Sequence, residues 1–101
     1  MELKNLKNNT MESNLRLYVY NIEDCYTMIY NLSKSLAKKA KKGIELDEEK
    51  LANSSIVGAI IRVAKMEMAR LGERIKPTKE DVKEMRIDIA QYILNEYVPY
   101  L

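Results

Sequence analysis

Five lysines crowd into nine residues, at Lys34, Lys38, Lys39, Lys41 and Lys42, and they are the side chains of this chain best placed to bind something. Ammonium groups at that density can contact phosphates or acidic protein surface. Projected at about 100° per residue, Lys34, Lys38, Lys41 and Lys42 lie opposite the apolar stripe of the helix that carries them, and Lys39 flanks that stripe. Lysines gathered at a helix C-terminus also have an ordinary role, because the helix dipole favours cations there. With no interleaved arginine to fork onto guanine and no aromatic to stack on bases, a nucleic-acid contact made here is expected to be weak, blind to sequence and sensitive to salt.

Catalytic residue sets are missing. The chain has no histidine, which removes the commonest general base and metal ligand. Its one cysteine, Cys25, cannot form an intrachain disulfide or a thiolate zinc site, and it falls on a helical apolar stripe where a small hydrophobe belongs. Gly43, Gly58 and Gly72 are too scattered to cradle phosphate. Asp47, Glu48 and Glu49 are adjacent carboxylates, but successive helical positions point in different directions. The sequence therefore predicts a non-enzymatic protein with no catalytic residues, cofactor, metal or small-molecule substrate.

The elements that carry these residues read as helices. Ile22, Cys25, Ile29, Leu32 and Leu36 recur at three- and four-residue intervals and form one stripe. Asn21 is expected to cap this first helix, which runs over residues 22–42 until Gly43 stops it. Asp47 starts a second helical region with Glu48 and Glu49 at the positive end of the dipole. At Asn53, Ser54 and Ser55 that region either bends or restarts, and Val57, Ile60, Ile61, Ala64, Met68 and Leu71 then keep a helical stripe to Gly72. Thr78 and Asp81 form a capping arrangement for a third helix reaching about Tyr97, with Val82, Met85, Ile89, Tyr92 and Ile93 inward and Pro99 ending it.

Upstream, residues 1–14 are polar and asparagine-rich and read as a flexible tail. Residues 15–20 (LRLYVY) alternate like a strand but have no partner strand, so they read as an extended lead-in laid across the helices. The expected fold is all-α: a small three-helix bundle over residues 15–101, preceded by a short extended N-terminal lead-in.

Composition agrees with one such domain. Hydrophobic residues make up 47% of the chain, which supports a core. Seventeen basic and fifteen acidic side chains leave a net charge of +2, too little to argue for nucleic acid on its own. The longest apolar run, Ile56 to Ile61, falls well short of the roughly 20 residues a bilayer needs. The N-terminal residues lack the apolar stretch of a signal peptide. Together with the single cysteine, these features predict a soluble, cytoplasmic protein and no membrane partner.

The third helix carries a further candidate surface. Ile87, Leu94 and Val98 project opposite its inner stripe, so the helix is apolar on two sides. Such a helix is either sandwiched within its own fold or covers a partner. The preferred reading is a partner interface at Ile87, Leu94 and Val98, serving self-association or another protein. The alternative is a small accessory nucleic-acid binder using Lys34, Lys38, Lys41 and Lys42. Glu80, Glu84 and Asp88, four apart on the third helix, add an acidic stripe that the lysine face of a second copy could meet. The seven tyrosines stand in for absent Phe and Trp, and Tyr26 and Tyr30 border the first helix's stripe.

The stretch from Tyr26 to Gly43 (YTMIYNLSKSLAKKAKKG), followed by an acidic connector and Leu51, resembles short helical proteins encoded by tailed phages, including crAss-like phages. LANSSIVGAIIRVAK is similar to the continuation in some of them. The resemblance implies a phage origin and hence the host cytoplasm. It implies no activity and no site residues.

Overall fold

The computed structural model describes residues 19–72 and 76–101. Among the described residues four α-helices follow the helical residues 19–21: α1 (Glu23–Lys41), α2 (Glu48–Ala52), α3 (Ser55–Arg70) and α4 (Lys79–Tyr92). A π-helical segment, Ile93–Tyr97, continues α4, and a 3₁₀ turn, Val98–Tyr100, follows it. No strand occurs among the described residues. The chain is an all-α bundle.

Local chemistry sets each boundary. Beyond α1, the Gly43 N–H donates to Ala40 O and the Ile44 N–H to Lys39 O, both at 3.0 Å. This Schellman pattern needs the left-handed backbone that Gly43 supplies at φ +83°. Asp47 caps α2 by accepting from the N–H groups of Glu49 and Lys50. Ser54 ends that helix and starts the next: its hydroxyl donates to Leu51 O at 2.7 Å and accepts from the Val57 N–H. The second helical region therefore restarts rather than bends. Thr78 and Asp81 complete a reciprocal capping box at α4, each bond 3.1 Å long.

The core is one cluster. Cys25 and Ile29 of α1, Leu51 and Ala52 of α2, Val57, Ile60, Ile61, Ala64 and Met68 of α3, and Met85, Ile89 and Ala90 of α4 meet in it, with Val19 and Ile93. Each fully buried isoleucine contributes about 1.5–3 kcal/mol. On α1 the fully covered row is Cys25, Ile29, Ser33 and Ala37, while Ile22, Leu32 and Leu36 are only half-buried. Ser33 is tolerated inside because its hydroxyl donates back to Ile29 O at 2.6 Å.

Three expectations need correction. Residues 19–21 are helical, so Val19 and Tyr20 do not continue an extended lead-in. Val19 is fully buried and the Tyr20 hydroxyl donates to Asp88 Oδ2 at 2.8 Å, contacts that hold this turn on the bundle. Residue 21 is consequently helical, and the extended residue before α1 is Ile22, with no side-chain cap. Residues 15–18 and the 1–14 tail lie outside the described residues. Leu71, expected inward, is 54% exposed because α3 has ended and the chain turns at Gly72. The last helix reaches Tyr97 as expected, α-helical to Tyr92 and π-helical beyond it.

Candidate functional site

The π-helical segment decides where the last helix points its apolar side chains. Val98 donates its N–H to Ile93 O, five residues back rather than four. The wider turn lags the α-helical phase, so residues beyond it rotate back toward the inner face. Leu94, Tyr97 and Val98 accordingly pack as half-buried side chains against the core cluster. Ile87, upstream of the segment, stays outside at 37% exposure. It lines a depression of about 370 Å³ with Glu48, Glu49, Ala52, Asn53, Lys83 and Arg86. The structure therefore does not gather Ile87, Leu94 and Val98 into one exposed face.

A second apolar surface forms where three elements converge, and no single helical stripe announces it. Leu32 and Leu36, one turn apart on the flank of α1, face Ile44 and Leu46 of the connector, Leu51 of α2 and Ile56 of α3. They line a groove of about 320 Å³. Two local devices build it. The Schellman turn at Gly43 sends Ile44 back alongside α1, and the Ser54 cap sets Ile56 in the first turn of α3. Ile44 is 50% and Ile56 42% exposed. Lys39, Glu45, Asp47 and Lys50 stand around this apolar centre, the anatomy of a protein–protein contact.

The other flank of α1 is aromatic and basic. Tyr26, Tyr30, Lys34, Lys38 and Lys42 follow at four-residue steps, each one position after a member of the row 25, 29, 33, 37 and 41. Tyr26 and Tyr30 stack with centroids 6.2 Å apart and planes inclined by 14°. Lys34 Nζ lies 5.4 Å from the Tyr30 ring centre. Behind them, Tyr26 meets Tyr97, Tyr97 meets Tyr92 edge-on at 5.3 Å, and Tyr92 meets Tyr20 at 4.5 Å. The Tyr97 hydroxyl is pushed up to about 12, first by burial, then by its hydrogen bond to Tyr92 and the nearby Tyr92 and Tyr26 phenols. The expectation that no aromatic accompanies the lysines is corrected here.

All five lysines of α1's end are exposed. Lys41 Nζ donates to Leu101 O at 2.8 Å. Among the described residues Lys34, Lys38, Lys39 and Lys42 form no ion pair, whereas Arg70 pairs with Glu67, Nε to Oε1 at 2.8 Å. Glu80 and Glu84 are exposed, but Asp88 is half-buried and accepts the Tyr20 hydroxyl, so the acidic stripe is partly used within the fold.

Cys25 is fully buried with Sγ 3.5 Å from Ile60 O. Burial, and secondarily the Asp24 charge, push its thiol up to about 11, the opposite of what a nucleophile needs. Among the described residues no group of three Cys, Asp or Glu converges as a metal cage would require, and no helix is long and apolar enough to cross a membrane.

Arg86 is a residue that pattern reading misses. Its Nη1 donates to Ala52 O at 3.1 Å and Ser54 O at 3.2 Å, fastening α4 to the junction of α2 and α3.

No family model, curated protein or solved structure matches this chain.

Proposed function

We propose that the protein is a non-enzymatic helical interaction module that associates with a second copy of itself through the groove between α1, the connector and α3. The observation that carries this reading is the half-exposed pair Ile44 and Ile56 over a groove whose lining is apolar and whose edge is charged. Lys39 and Lys50 balance Glu45 and Asp47 around that edge. In a two-fold contact the same patch meets itself, so a rim carrying both signs can place cations of one copy on carboxylates of the other. Ile87 lies on another side of α2 and is a subsidiary candidate.

The resemblance to small tailed-phage proteins is compatible with this role. A phage-encoded module of this kind would work in the host cytoplasm and need only a surface.

Sedimentation velocity of the full chain tests the proposal. Wild type is expected to shift toward dimer as concentration rises, and Ile56→Asp to remain monomeric with an unchanged helical circular dichroism spectrum. A wild-type chain that sediments as a monomer at every concentration contradicts it.

A further inference from the structure

From the row on the opposite flank of α1, we infer a binding site for single-stranded nucleic acid, with bases on Tyr26 and Tyr30 and phosphates on Lys34, Lys38 and Lys42. Three observations converge. The five side chains follow one ridge that winds around α1 by about 40° per step and ends at its cap residue Lys42, because residues four apart are neighbours on a helix surface. Each step advances about 6 Å along the axis, on the scale of successive phosphates in an extended strand. The three lysines have no ion pair among the described residues, so their charge is free to neutralise phosphate.

The tyrosines supply what lysines alone lack. Tyr26 and Tyr30 are 48% and 36% exposed, and their nearly parallel rings offer a stacking platform to an unpaired base. Tyr97, Tyr92 and Tyr20 buttress them from behind. The Lys34 ammonium lies over the Tyr30 ring, on a flexible stem that a base would displace to stack there, and marks the point where stacking gives way to charge. A duplex hides its base faces, so this ridge favours a single strand. An acidic protein surface would satisfy the lysines but leave the rings unused. The site is separate from the apolar groove and stands or falls independently of it.

Fluorescence anisotropy of a labelled oligo(dT) with the full-length protein tests the site. Counterion release of about 0.7 per phosphate for a single strand gives three lysines a slope of about −2, hence roughly a 20-fold loss of affinity between about 50 and about 200 mM salt. Lys34→Glu with Lys38→Glu should abolish binding. Tyr30→Leu should weaken it roughly 10-fold while leaving the salt slope unchanged, since it removes a stacking face and no charge. Circular dichroism checks that each variant is folded, and Tyr30→Phe, which keeps the ring, should bind as wild type does. No binding at low salt, equal affinity for a duplex of the same length or for polyglutamate, or a folded Tyr30→Leu that binds like wild type would each overturn the inference.

Discussion

Arg86 lies across Gly58 so closely that a Cβ on the glycine would sit 2.6 Å from Nη2. The same guanidinium donates through Nη1 to Ala52 O and Ser54 O. Gly58 is buried inside α3, where glycine costs about 1 kcal/mol relative to alanine. The helix accepts that cost because the missing side chain lets α4 reach the carbonyls at the end of α2.

A double-mutant cycle should expose this coupling. In wild type, Gly58→Ala must displace the guanidinium, so the helix-propensity gain is cancelled and the variant is no more stable than its parent. With Arg86→Leu as background, Gly58→Ala should instead stabilise by up to about 1 kcal/mol. Urea unfolding of the four proteins measures the difference, and strict additivity would show that the close approach is without consequence.

Leu94 gives a second prediction. A residue on an exposed outer face would tolerate Leu94→Asp, but this side chain packs against the core beside Ile93 and Tyr97. Losing its apolar contacts while burying a carboxylate should cost about 2–4 kcal/mol. The thermal midpoint should fall by roughly 8–32 °C, at roughly 4–8 °C per kcal/mol for a domain of this size. Ile87→Asp, at a more exposed site, should leave the midpoint almost unchanged.

Much of the fold could be read from punctuation and periodicity. Gly43, Asp47, Ser54, Thr78 with Asp81, and Gly72 act where their backbone chemistry says they should, because caps are local. The surfaces were less accessible. Projecting residues 93–98 at a constant angle turns Val98 outward, and only the five-residue hydrogen bond to Ile93 reveals the rotation. The groove needs three elements to converge, and no one-helix stripe encodes Leu32 beside Ile44 and Ile56. The tyrosine–lysine ridge was missed although its members stand four residues apart, and its pairing with Tyr97 spans most of the chain. Arg86 left no sequence signal beyond the glycine it covers.

Alkaline titration tests the core around Cys25. The native thiol keeps its proton up to about pH 11, while the unfolded chain releases it from its ordinary value of 9.0. Over that interval the native state binds more protons than the unfolded state, so stability must fall as pH rises. The contribution is complete below pH 9 and gone by about pH 11, a loss on the order of 2–3 kcal/mol. Cys25→Ala should flatten this part of the stability profile. At neutral pH the native thiol should resist a disulfide reagent that labels it promptly in denaturant.

The capping box at α4 makes a simpler prediction. Thr78 satisfies the Asp81 N–H while Asp81 satisfies the Thr78 N–H. Thr78→Ala should destabilise by about 1 kcal/mol, seen as a lower urea midpoint with an unchanged slope.

Association through the α1–α3 groove is addressed most directly by isotope-filtered NOE spectroscopy on a mixture of labelled and unlabelled chains at high concentration. Methyl groups of Ile44, Ile56 and Leu36 should show contacts to the opposite copy, and those contacts should vanish in Ile56→Asp. Intermolecular contacts arising from Ile87 alone, or a mixture with none at all, would contradict the account.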